Sequence, residues 1–285
     1  MPKTYNEIYI DARKKLKEQG VAAYALEARI IVGCAAGKGR EELLKDMGLY
    51  TSKDVEEKTH AMIERRLKGE PVAYITGSWE FYGLPIMVSR DVLIPRVDTE
   101  VLVETAIGAL RGRKMDARVL DLCTGSGCIG CAIAKELPAT HVVLGDISTP
   151  ALGIAKSNVL MNRLNPRVTC VELDTLLPPP MMLGSFEILV CNPPYIPSGD
   201  IDGLDAEVKK YEPMSALDGG KDGLLFYRAI LNKWRGVVRN GGMILFEVGI
   251  GQAEDVATLM RAAEMKNVGT VKDTLGIDRV VYGNV

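Results

Sequence analysis

The chain has 285 residues, 47% of them hydrophobic and 25% charged, which suits a soluble globular enzyme of one large or two ordinary domains. A net charge of −2 excludes an overall field that recruits a polyanion, and neither side of a cut at residue 70 is a basic platform: 14 basic and 12 acidic residues precede it, 21 and 25 follow. No apolar run approaches ~18 residues and the N-terminus has no signal-like apolar core, so the expectation is a cytoplasmic protein without a membrane span.

Residues 1–71 predict a small helical bundle. Tyr5, Ile8, Tyr9, Ala12 and Leu16 recur at helical spacing, and Gly20 ends that helix. An Ala-rich stretch, 22–36, reads as a second helix, and Leu43, Leu44 and Met47 as a short third. A fourth, capped by Thr51 or Ser52, carries Val55, Met62, Ile63 and Leu67 on one face and closes at Gly69-Glu70-Pro71. Residues 72–97 read as a linker. Trp79 to Tyr82, then Gly83-Leu84-Pro85, then Ile86-Met87-Val88 predict a β-hairpin, and a second run, Val92-Leu93-Ile94, stops at Pro95-Arg96.

A third region, 98–285, opens with a helix over 98–111, acidic in its first turn, where the macrodipole favours acids. Strands follow at 119–122, 141–146, 168–171, 186–191 and 243–248, separated by helices at 127–137, 149–163, 224–238 and, after the fifth strand, 252–264. Two closing strands, near 267–272 and 278–283, read as antiparallel. Continuous apolar strands alternating with helices imply an α/β fold: a doubly wound, seven-stranded, mostly parallel sheet covered on both faces.

The first strand leads into Asp121-Leu122-Cys123-Thr124-Gly125-Ser126-Gly127, whose glycines let the backbone turn tightly against a ligand. Gly125, Gly127 and Gly130 also fit G-x-G-x-x-G, which keeps a dinucleotide open. Asp146 ends the second strand, where a carboxylate can accept both ribose hydroxyls or cap the next helix. Two carboxylates, Asp121 and Asp146, suit a cationic cofactor better than a pyrophosphate. S-adenosylmethionine, with an ammonium, a sulfonium and no phosphate, meets that condition. Asp174 and Thr175 lie where a third loop meets the adenine, although a solvated loop acid fits Asp174 equally well.

The fourth strand stops at Asn192-Pro193-Pro194-Tyr195, since proline cannot donate to a ladder. Asn192 Oδ1 and the Pro193 carbonyl can both accept from one –NH2, and Tyr195 offers a ring for stacking on an amide or base. Two acceptors can orient a poorly nucleophilic amide nitrogen and stabilise the positive charge it develops, with no general base in the displacement. Asn192, Pro193 and Tyr195 are the candidate catalytic residues; Asn192, Pro193, Pro194 and Tyr195 form the candidate substrate clamp.

Cys123, Cys128 and Cys131 copy a plant-type iron–sulfur spacing. They straddle a glycine turn and its helix, however, and read better as small buried hydrophobes in a reducing compartment. With His60 and His141 the only histidines, no metal site is expected.

Together the glycine loop, Asp146 and the Asn-Pro-Pro-Tyr tip resemble a class I S-adenosylmethionine-dependent methyltransferase acting on an amino or amide nitrogen. Pro71 to Gly77, Glu80 to Leu84 and Leu93 to Glu100 narrow this. So do Tyr211-Glu212-Pro213, Ala216-Leu217, Gly219-Gly220, Asp222-Gly223-Leu224 and Tyr227. They resemble the release-factor glutamine N5-methyltransferases, the HemK/PrmC family. The resemblance implies a methyl transfer to the glutamine of the Gly-Gly-Gln loop of peptide chain release factors, which modulates translation termination. It implies a helical N-terminal domain that docks the release factor, with no direct nucleic-acid partner. The implied cofactor site maps onto Asp121, Cys123, Thr124, Gly125, Ser126, Gly127, Asp146, Thr175 and Asn192. The family usually has Gly at Cys123 and Pro at Val97. An adenine N6-methyltransferase of DNA or RNA shares the tip but should carry a basic groove. A dehydrogenase using NAD, or a non-catalytic nucleotide-binding adaptor, leaves the tip unexplained.

Overall fold

A computed structural model of the chain describes residues 2–111 and 116–285, which divide into two compact units. The first comprises the N-terminal residues to Ser78 together with Ala206–Tyr211; the second comprises Trp79–Asp205 and Glu212–Val285.

In the first unit the helices are α1 (Tyr5–Glu18), α2 (Tyr24–Ala36), α3 (Arg40–Asp46), α4 (Lys53–Leu67) and α5 (Val72–Thr76). Their ends are chemically specified. Thr4 and Glu7 form a capping box at α1, Ser52 Oγ accepts from Val55 N–H at 3.3 Å at α4, and α2 stops at Gly37 with φ +65°. Ile8, Ala12 and Leu16 of α1 bury against Ala28, Ile31 and Val32 of α2 and Val55 and Ile63 of α4. Arg66 donates to Glu27 at 2.5 Å and to Glu207 at 2.7 Å, so a segment far along the chain is pinned into this unit.

The second unit begins at Trp79, within β1 (Ser78–Phe81), which forms a hairpin with β2 (Leu84–Met87), turned at Tyr82-Gly83, both with positive φ as a two-residue turn requires. A 3-10 turn, Val97–Thr99, leads into α6 (Glu100–Leu110). Then come β3 (Arg118–Leu122), α7 (Cys128–Glu136), β4 (His141–Asp146), α8 (Thr149–Met161), β5 (Val168–Glu172) and β6 (Phe186–Cys191). After the excursion of α9 (Ala206–Tyr211) into the first unit follow α10 (Leu225–Lys233), β7 (Val238–Glu247), α11 (Ala253–Ala262), β8 (Lys266–Lys272) and β9 (Asp278–Asn284).

The sheet has seven strands in the order β5-β4-β3-β6-β7-β9-β8, parallel except for β9, which runs antiparallel to β7 and β8. This is the doubly wound class the alternation predicts. Leu120, Leu122, Leu189, Cys191 and Phe246 pack on one face with Tyr227, Ile230 and Trp234 after or within α10 and Val256 and Met260 of α11. The chain runs outward from β3 to β5, then returns to lay β6 on the other side of β3, with Leu122 paired to Cys191. That reversal places the tips of β3 and β6 side by side at the switch point, where such sheets bind ligands.

The structure adds two details to the linker and corrects one helix. Residues 72–76, within the stretch read only as linker, form a helix, because Pro71 starts it and Gly77, at φ +71°, ends it. Val92-Leu93-Ile94 joins no strand; Val92 and Ile94 are apolar because they are buried, not because they pair. The helix expected over 224–238 ends at Lys233, and Val238 already belongs to β7.

Candidate active site

A cavity of ≈ 280 Å³ opens at the tips of β3, β4 and β6 within the second unit. Of the candidate cofactor residues, Cys123, Thr124, Gly125, Ser126, Asp146, Thr175 and Asn192 line it; of the substrate clamp, Asn192 and Pro194 do. Asp121, Gly127, Pro193 and Tyr195 are not on its wall.

The glycine loop is held from both sides. Asp146 Oδ2 accepts from Gly125 N–H at 2.8 Å and Oδ1 from Ser148 N–H at 2.9 Å, so one carboxylate fixes the loop and its own turn. Asp121 is fully buried beneath the loop, where its Oδ2 accepts from Thr124 Oγ1 at 2.6 Å and Gly130 N–H at 3.0 Å and its Oδ1 has no partner. Burial pushes its carboxyl up to about 7 against those two hydrogen bonds. Cys123 sits at φ +55° and Gly125 at φ +54°. A left-handed backbone favours glycine, and the Cys123 side chain there costs roughly 1–2 kcal/mol.

Thr175 is positioned by Trp234, the residue that follows α10. Its carbonyl accepts from Trp234 Nε1 at 3.1 Å, and the same nitrogen reaches the Leu177 carbonyl at 3.0 Å. Asp174 also lines the cavity, with Oδ1 accepting from Leu176 N–H at 2.8 Å.

The Asn-Pro-Pro-Tyr tip and Ile196 are met by Leu217 to Gly219. Ile196 N–H donates to the Leu217 carbonyl at 3.0 Å and Gly219 N–H returns to the Ile196 carbonyl at 2.8 Å. A Cβ on Gly219 would stand 2.7 Å from Tyr195 Cα, so only glycine lets the two segments approach this closely. Gln252 Nε2 donates to the Tyr195 carbonyl at 2.9 Å, and burial raises the Tyr195 phenol to about 12, keeping it protonated. Arg96 pairs with the buried Glu212 at 2.5 Å, joining the Pro95-Arg96 stretch to the chain that leads into Leu217.

Known proteins match the chain along nearly its whole length. The PrmC N-terminal domain model matches residues 7–77 and the methyltransferase small domain model residues 96–204. The release factor glutamine methyltransferase of Geobacter sulfurreducens is 41% identical over 275 residues, covering 96% of this chain and 94% of that protein. Those of Agrobacterium fabrum and Clostridium botulinum are 39% and 35% identical, covering 95% and 96% of this chain and 94% and 97% of theirs. The chain belongs to the release factor glutamine methyltransferase family.

The fold is shared more widely. The hMettl16 catalytic domain in complex with the MAT2A 3′UTR hairpin 6 superposes with a TM-score of 0.56 at 16% identity, over 78% of this chain and 81% of that one. The delta-N METTL16 MTase domain gives 0.53 at 17%, over 72% and 90%. This member of the glutamine methyltransferase family also uses residues at the site that its sequence does not advertise. Asn158, buried on α8, donates to the carbonyls of Met87 at 3.0 Å and Ser126 at 2.8 Å and accepts from Met87 N–H at 2.6 Å, tying β2 to the glycine loop. A lone polar residue on an apolar helix face was its one signal. Glu247, at the end of β7, gave none, since it reads as part of a buried strand. Among the described residues no group of three or more His, Cys, Asp or Glu can hold a metal ion, and no helix is long and apolar enough to cross a membrane.

Proposed function

We propose that the protein methylates the side-chain amide nitrogen of the glutamine in the Gly-Gly-Gln motif of peptide chain release factors, using S-adenosylmethionine. The observation that carries this reading is the acceptor tip, Asn192 to Tyr195, beside a cavity rimmed by the glycine loop and Asp146, in a chain whose 35–41% identical relatives bear the name release factor glutamine methyltransferase.

The cavity fits the cofactor by its donor set. Each Asp146 oxygen holds one backbone N–H and keeps lone-pair capacity for a ribose hydroxyl. Gly125 has open space on its Cβ side, and no basic side chain sits in the glycine loop to demand a phosphate. Bound there, S-adenosylmethionine supplies an electrophilic methyl group. Asn192 Oδ1 and the Pro193 carbonyl accept the two amide hydrogens of the substrate, which orients its nitrogen and favours the cationic character it gains; once the methyl group is bonded, the nitrogen sheds one of those protons to solvent. Tyr195, neutral and held by Gln252, supplies the stacking face. The helical first unit is the part proposed to dock the release factor, and the site of action is the cytoplasm.

The test incubates the protein with methyl-labelled S-adenosylmethionine and either a purified release factor or DNA. Label on the release factor, placed on the glutamine by mass spectrometry, is the expected result; label on DNA alone sinks the reading. Asn192→Ala should abolish transfer, a loss of at least about 100-fold, while cofactor binding weakens far less.

A further inference from the structure

The Asn192 amide can turn either its oxygen or its –NH2 toward the cavity, and only the oxygen can accept from a substrate amide. Something must decide between two nearly isosteric orientations. The structure points to the end of the neighbouring strand. Cys191 of β6 is the register partner of Phe246 of β7, so the next residues, Asn192 and Glu247, stand side by side. Glu247 is 2% exposed, its Oε2 has no hydrogen-bond partner, and the side chains of Thr99 and Asn192 lower its carboxyl against the upward push of burial. Thr99, also 2% exposed, accepts from Asn192 Nδ2 at 3.4 Å through Oγ1.

We infer that Glu247, with Thr99, is the positioning residue that holds Asn192 with its nitrogen turned away from the substrate and its oxygen presented to it. An ionised carboxylate accepts and cannot donate, so it selects the Nδ2 edge of Asn192. Thr99 can accept one Nδ2 hydrogen and pass its own hydroxyl hydrogen to Glu247, which leaves Asn192 Oδ1 uncommitted. Arg279, itself bound to Asp98 at 3.2 Å and Asp273 at 3.1 Å, favours the ionised form. Tyr227 fixes the same residue from behind, donating to the Glu247 carbonyl at 2.9 Å. Glu247 therefore never touches the reacting atoms; it acts through Asn192. A flipped Asn192 would set –NH2 against the substrate –NH2, donor against donor.

This inference rests on the methylation reading, and the experiment separates the two. Wild type, Glu247→Leu, Glu247→Gln and Thr99→Val are compared on a release factor at pH 8, above the pH of about 7 at which burial places the Glu247 carboxyl. Folding is followed by thermal melting and cofactor affinity by calorimetry. Glu247→Leu should lose about 100-fold in kcat, the scale of a misplaced reacting group, with KM and cofactor Kd nearly unchanged. Glu247→Gln, whose Oε1 can still accept from Asn192 Nδ2, should recover most of that loss, and Thr99→Val should fall between. A Glu247→Leu enzyme with wild-type kcat overturns the positioning role, as does a Gln variant no better than the Leu variant. If Glu247→Leu does not fold, wild-type kcat in Thr99→Val overturns it instead. A wild type that leaves release factors unmethylated fails the functional reading first and takes this inference with it.

Discussion

Asp146 shows how much one side chain can be asked to do at the scale of a residue. Its two oxygens hold the N–H groups of Gly125 and Ser148, so an exchange to Asn replaces one acceptor with a donor facing a donor. Asp146→Asn should therefore release either the glycine loop or the turn before α8. The expected outcome is a rise of about 10-fold or more in the Kd for S-adenosylhomocysteine by calorimetry, on the scale of a lost charged hydrogen bond of roughly 1.5–3 kcal/mol. An unchanged Kd would remove Asp146 from the cofactor site. The sequence made Asp146 legible because a strand ended there. It could not show that Asp121, equally acidic and equally placed, turns beneath the loop and off the cavity wall. That distinction depends on Thr124 and Gly130 capturing its Oδ2. Glu247 and Asn158 were illegible for a related reason: a polar residue in an apolar run carries no mark of which neighbour it meets.

At the scale of an element, α7 is set by how closely it approaches β4. A Cβ added to Gly130 would clash with Leu144 Cδ2, lie 2.9 Å from Val142 Cγ1 and lie 3.1 Å from Asp121 Oδ2. The third glycine of the G-x-G-x-x-G string therefore serves helix–sheet packing, the same role it has in dinucleotide-binding turns, so it does not discriminate between cofactors. Gly130→Ala must push α7 outward or force Val142, stiff at χ1, off its rotamer. It should destabilise the second unit by about 1–3 kcal/mol in urea unfolding, and a loss within error would show that α7 relaxes freely. Elements of this kind were largely readable, since strands β3 to β6 and their helices follow from apolar runs and caps. The pieces that were not readable are short or irregular. Helix α5 spans only five residues, too few for a periodicity, and Val92 to Ile94 is apolar because it lines and supports a cavity. Helix α9 is tied to the first unit by Arg66 with Glu207 and by Tyr211 Oη donating to the Lys68 carbonyl, and nothing local encodes that.

For the molecule as a whole, the same buried acids set a pH dependence of stability. Asp121 is raised from 3.8 to about 7 and Glu247 from 4.5 to about 7, each chiefly by burial. A carboxyl raised on folding binds its proton more tightly in the native state, so its contribution is full below the unfolded value, near pH 4. That contribution is lost as pH climbs to 7. Asp218, Asp222 and Asp273 are lowered by hydrogen bonds, and their contribution has the opposite sign, lost only as pH falls below about 4. Between pH 5 and 7 these three, and Glu254, which is lowered likewise, are ionised in both states, and the buried pair sets the trend, joined by Asp146 and Glu212, which burial also raises. Stability of the second unit should fall across that window, by at most about 1.4 kcal/mol per pH unit for each raised group. Both tryptophans, Trp79 and Trp234, belong to that unit, so fluorescence-detected urea unfolding reports on it alone. The difference in stability between Asp121→Asn and wild type should grow in the variant's favour from pH 5 to pH 7, because Asn carries no proton to lose. A difference that stays constant with pH would mean that Asp121 is ionised throughout. Its unpartnered Oδ1 would then be a standing charge in the core, and the loop it braces would owe its rigidity to something other than a protonatable acid.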